Sequence, residues 1–133
     1  MTIDHIGIAV GSVDDAATYY STHFGLRESG ARIVDPLQDV ELQFLEDDLG
    51  RRLELIRPLS EDSPAARALK HGGGLNHICY TVGDLDASVA ALVASDAKLV
   101  RPPVPAAAFN GRRVAFLYTR QRELVEFVEA ERR

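Results

Sequence analysis

Hydrophobic and polar positions fall into two successive series of the same kind. In residues 3–10 apolar side chains recur at every second position, as in a half-buried strand. Val13, Ala16, Ala17 and Tyr20 then follow a helical spacing up to Gly25, a residue suited to stopping a helix. Three short apolar runs come next, at 27–34, Val40–Glu46 and Arg52–Pro58, and they predict a strand meander. The second half repeats the order. It predicts a strand at 76–82, an Ala-rich helix at 86–95 and strands at 98–101, Arg113–Tyr118 and Leu124–Glu129. The turns 47–50 and 119–122 close the last hairpin of each half.

The resemblance of the halves extends to residues. Ile3-Asp-His-Ile-Gly-Ile-Ala-Val-Gly11 returns as Leu75-Asn-His-Ile-Cys-Tyr-Thr-Val-Gly83, an offset of 72 residues. The same offset lays Phe44 on Phe116, Asp14 on Asp86 and Glu54 on Glu126. The predicted architecture is α+β: two tandem βαβββ modules forming a curved, mostly antiparallel sheet around a metal cavity, with helices on the outer face. A single domain over 1–133 is expected, with modules at 1–59 and 75–133. The linker at 60–74 ends in Gly72-Gly73-Gly74, which reads as a flexible connector.

Alternation of strand side chains assigns faces. His5 shares one with Ile3, Gly7 and Ala9, while Ile6, Ile8 and Val10 suit packing under a helix. His77 is placed likewise with Cys79 and Thr81, and Glu54 and Glu126 point away from Leu53/Leu55 and Val125/Phe127. A buried charge needs a partner. Two imidazoles and two carboxylates at corresponding places in a repeat therefore point to one divalent cation: Zn, Co, Ni, Mn or Fe(II), and not the oxygen-seeking Ca. His23 and His71 are expected to be exposed, and Cys79 an inert thiol.

Composition narrows the partners. The chain has 133 residues, 46% of them hydrophobic, and a net charge of -5, which offers nothing to nucleic acid or an anionic membrane and favours a small-molecule substrate. The single cysteine and the lack of an apolar leader suggest a cytoplasmic setting.

On the opening His5 motif, Leu53-Glu-Leu-Ile-Arg-Pro-Leu59, Asp62-Ser-Pro-Ala65, Gly73-Gly-Leu-Asn-His-Ile78, Gly111-Arg-Arg-Val-Ala-Phe-Leu117 and Leu124-Val-Glu126, the sequence resembles the vicinal oxygen chelate superfamily. Within it, the methylmalonyl-CoA epimerase branch is the most similar, chiefly through Asp62-Ser-Pro64. The resemblance implies metal ligation by His5, Glu54, His77 and Glu126. It also implies proton transfer through a metal-stabilised enolate, with Glu126 and Glu41 as bases, and a homodimer acting on a malonyl-type acyl-CoA. A glyoxalase I-like lyase would use the same ligands, and a resistance-type binding protein the same fold. The family's loops differ here at Ala106-Ala-Ala-Phe-Asn110 and Tyr118-Thr-Arg-Gln-Arg122. Arg57, Arg112, Arg113, Arg120 and Arg122 are the guanidinium groups considered for binding an anion.

Overall fold

The computed structural model describes residues 1–131. Among them are strands β1 (Thr2–Ala9), β2 (Arg27–Asp35), β3 (Val40–Glu46), β4 (Arg52–Pro58), β5 (Gly74–Val82), β6 (Lys98–Pro105), β7 (Arg113–Tyr118) and β8 (Leu124–Glu129). The helices are α1 (Val13–Phe24), α2 (Pro64–Lys70) and α3 (Leu85–Val93). The fold class is α+β, as expected. No helix among the described residues is long and apolar enough to cross a membrane.

The chain divides into two compact units, 5–76 and 77–133, the latter joined by residues 1–4. In the unit 5–76 the strand order is β2-β3-β4-β1. β3 runs antiparallel to β2 and β4, while β1 lies parallel to β4 with Ile6 opposite Leu53 and Gly7 opposite Glu54. Helix α1 starts at Ser12, whose hydroxyl accepts from the Asp15 N–H at 3.1 Å, and stops at Gly25 with φ of 68°. Its Ala17 and Tyr20 pack on Ile8, Leu45 and Leu55, with Val10 and Leu53 beside them.

The unit 77–133 has the order β5-β8-β7-β6, with β5 parallel to β8, Ile78 opposite Val125 and Cys79 opposite Glu126. Asp84 caps α3 through the Ala87 N–H at 3.0 Å. Val82, Leu85, Ala115, Leu117, Val125 and Phe127 form the core beneath it. In both units the residues that alternation assigned to the helix side occupy it.

Three expectations are corrected. The linker contains α2, whose start explains the Asp62-Ser-Pro64 motif: buried Ser63 accepts from the Ala65 N–H, and Pro64 takes the first helical position, where its missing N–H is harmless. The three glycines after it are a tight turn and no loose connector. All have positive φ, and a Cβ on Gly73 would lie 2.7 Å from the Ala9 carbonyl oxygen. Strand β6 continues through Pro102, Pro103 and Pro105, because its pairing with β7 slips twice, between Leu99 and Arg101 and between Arg101 and Val104, and such bulges tolerate proline.

Candidate metal centre

Each unit presents one histidine facing one glutamate. In the unit 5–76, Glu54 stands opposite Gly7 on β1 and Phe44 on β3, and cross-strand partners share a face. His5 belongs to that face by alternation along β1. The His5 Nε2 lies 3.6 Å from a Glu54 carboxylate oxygen, and the Phe44 ring stands edge-on to the imidazole with centroids 5.3 Å apart. In the unit 77–133 the corresponding residues repeat the arrangement. His77 Nε2 is 3.2 Å from Glu126 Oε1, and Phe116, opposite Glu126 in register, stands edge-on to His77 at 5.3 Å. The trio of histidine, phenylalanine and glutamate is thus duplicated with the chain.

All four polar residues are buried, with His5 1%, Glu54 5%, His77 5% and Glu126 3% exposed. The 3.6 Å of the His5–Glu54 pair lies beyond a hydrogen bond, and the 3.2 Å of the His77–Glu126 pair lies at its upper limit. A nitrogen-to-oxygen hydrogen bond spans about 2.7–3.2 Å. Two ligand atoms each about 2.1 Å from one ion at a tetrahedral angle lie roughly 3.4 Å apart. The donor set is also the one that borderline transition metals prefer. The residues fit such an ion.

Glu41 lies elsewhere. It is opposite Arg57 in register, on the face of β3 that carries Gln43 and Leu45, whereas Phe44 and Glu54 occupy the other. The Glu41 carboxylate lies 3.4 Å from Arg57 and 3.8 Å from Arg32, and Arg32 in turn pairs with Asp14 in the first turn of α1. The Arg32 guanidinium holds the Asp14 carboxyl below the usual range, through their hydrogen bond first and its charge second.

The second unit carries a counterpart with signs exchanged. Arg113, 72 residues after Glu41, pairs at 2.7 Å with Glu129, 72 after Arg57. Arg113 also bonds Asp86, in the first turn of α3, at 2.9 Å, and so lowers that carboxyl too. Each network ties the start of a helix to the strands below it.

Cys79 is buried opposite Glu126, while His23 and His71 are exposed, as expected. Among the arginines considered, Arg112 donates to the Glu129 carbonyl at 2.8 Å, and Arg120 and Arg122 are exposed. One was missed. Arg52, two residues before Glu54 and so on its face, sits with its guanidinium carbon 4.0 Å from the Phe44 ring centroid. The same alternation that assigned Glu54 could have found it.

Fold and paired His–Glu residues together describe an α+β scaffold built by duplication. By family-model match over residues 4–116, the chain belongs to the Glyoxalase/Bleomycin resistance protein/Dioxygenase superfamily, whose vicinal oxygen chelate fold it shares. It is 36% identical over 130 residues to the uncharacterized protein YqjC of Bacillus subtilis, covering 96% of this chain and 91% of that protein. It is 33% identical over 118 residues to the ethylmalonyl-CoA/methylmalonyl-CoA epimerase of Cereibacter sphaeroides, covering 87% of each. The crystal structure of methylmalonyl-CoA epimerase from Mycobacterium tuberculosis superposes with a TM-score of 0.82 at 27% identity, covering 98% of this chain and 89% of that one.

Proposed function

We propose that this protein is a metal-dependent epimerase of a malonyl-type acyl thioester, with His5, Glu54, His77 and Glu126 holding one divalent cation. The observation that carries the reading is the pair of buried His–Glu contacts at metal-ligand separation, one per repeat. Similarity to acyl-CoA epimerases supplies the substrate class.

When bound, the cation would act as a Lewis acid that stabilises negative charge on the acyl oxygens as the α-carbon loses its proton. The residues do the rest. Glu126 takes the α-proton: the C–H bond breaks and its electron pair stays with the acyl group. A proton returned to the opposite face gives the epimer, with no net change of atoms. Because Glu41 lies on the face that carries Leu45, we assign that return to Glu54, the carboxylate beside His5. Phe44 and Phe116 shield the imidazoles and keep the pairs dry, which strengthens each electrostatic contact.

The test is solvent deuterium incorporation into methylmalonyl-CoA by metal-loaded protein, run beside the methylglyoxal–glutathione adduct. Exchange into the thioester alone is the expected result. Turnover of the adduct alone would make the protein a glyoxalase-type lyase, and reaction with neither would leave a binding protein. Metal analysis of His77→Ala checks the ligand set, since loss of stoichiometric metal is expected and full retention would refute it.

A further inference from the structure

The outer strand of the unit 77–133 carries charge that the mechanism does not use. In β6, Lys98 and Arg101 are three residues apart, a spacing that would put their side chains on opposite faces of a regular strand. Here they share one. Lys98 stands opposite Tyr118 and Arg101 opposite Phe116, two positions apart on β7, which keeps an unbroken register with β8. The slip between Leu99 and Arg101 inserts Val100 as an extra residue, and such a bulge re-aims the side chains around it. Phe116 is the ring that stands edge-on to His77, so both cations lie on the face of the His77–Glu126 pair, with Arg101 half-buried and Lys98 exposed. The first repeat supplies the contrast. There Ser29 takes the place opposite Phe44, while Arg27 stands opposite Glu46 and is paired with Asp48 at 2.8 Å. The cation of the first repeat is matched by acids, whereas those of β6 stand opposite aromatic rings.

We propose that Lys98 and Arg101 form the subsite for the phosphates of a coenzyme A carrier, which rests on the epimerase reading above. Distance selects these anions over the acyl carboxylate. With strands about 4.8 Å apart, β6 is three spacings, or about 14 Å along the sheet, from the strand β5 that carries His77. A charge on β6 therefore meets the far end of an extended thioester, and the pantetheine arm crosses the strands between. Charge argues the same way. A chain of net charge -5 repels a multiply charged anion as a whole, so such a carrier needs locally basic ground. Neighbouring same-face positions of a strand lie about 7 Å apart, close enough for an ammonium and a guanidinium to grip adjacent phosphate groups. Pro102 confines the Arg101 backbone to an extended conformation, which limits the freedom lost on binding.

The experiment measures binding, not turnover, with metal-loaded wild type, Arg101→Ser and a Lys98→Gln, Arg101→Ser double variant. The probes are methylmalonyl-CoA and methylmalonyl-pantetheine, which share the acyl end and differ by the phosphates and nucleoside. Serine is the first repeat's residue opposite the equivalent phenylalanine, and metal content and Tm serve as controls for folding. Wild type is expected to favour the CoA thioester roughly tenfold or more, at the strength of charge-assisted contacts, and the preference should shrink as salt is raised. The double variant should lose most of that preference while leaving the pantetheine thioester within about twofold, and Arg101→Ser should fall between. Equal weakening of both thioesters would assign the pair to the acyl end or to the fold, and an absent or undiminished preference would dismiss it; each overturns the proposal. If wild-type protein binds neither thioester, the epimerase reading fails by itself, and coenzyme A becomes the probe. Binding that the double variant weakens would then retain the subsite, and binding that is unchanged or absent would overturn it.

Discussion

A glutamate's neighbours decide what it can do. Glu54 and Glu41 are both on strands of one unit, and both carboxylates stand beside a basic group, but Glu54 faces a buried imidazole and Glu41 faces two half-exposed guanidinium groups. A carboxylate held by two arginines serves as a tether between strands. Glu41→Gln is therefore expected to retain proton exchange within about threefold, because exposed ion pairs contribute little each. Glu54→Gln should reduce it by roughly a hundredfold or more, as for loss of a positioned acid or base. Deuterium wash-in rates for the two variants provide the comparison. Fast exchange in Glu54→Gln and loss in Glu41→Gln would reverse the assignment. Alternation placed Glu41 correctly with Gln43, but it could not relate that face to the one of Glu54. The relation depends on how the turn after Glu46 pairs Phe44 with Glu54, and a slip of one residue there would exchange the faces.

Among elements, those with a strong period were legible in the sequence. Val40–Glu46, Arg52–Pro58, Arg113–Tyr118, Leu124–Glu129 and Val13–Phe24 lie where the pattern predicts them. Helix α2 was not legible, since seven residues with Ala at three positions carry too little period to stand out from a polar linker. Capping specifies it instead. Ser63→Ala should destabilise the protein by about 1 kcal/mol, seen as a fall in Tm of a few degrees. Gly73→Ala should be worse than that, because the residue would carry both a left-handed φ and a Cβ against the Ala9 carbonyl. A Gly73→Ala protein with unchanged Tm would contradict the tight turn. The end of β6 was hidden for a different reason: prolines are read as breakers, and only the paired strand shows that they sit where the ladder slips.

At the scale of the molecule, two terms tie stability to the solution. Asp14 and Asp86 have native pKa values below their ordinary value, so their contribution is fully present above about pH 4 and is lost as pH falls through the depressed native values. Tm measured against pH should accordingly decline more steeply below about pH 4 in wild type than in an Asp14→Asn, Asp86→Asn double variant; parallel curves would exclude the networks as a source. The second term is the cation proposed above. A ligand that binds only the native state adds about 2.7 kcal/mol at a hundred times its Kd, so chelation is expected to lower Tm, and His77→Ala to abolish the difference.

The parallel pairs β1·β4 and β5·β8 bear on how the chain reaches this state. Ile6 and Leu53 are 47 residues apart along the chain, and so are Ile78 and Val125. Closing a loop costs chain entropy that grows with the logarithm of its length, so the duplicated halves face the same closure barrier to within the stiffness of their sequences. Whichever half orders first does so through the strength of its local hairpins and helix, because duplication has made the long-range part of the search identical in both.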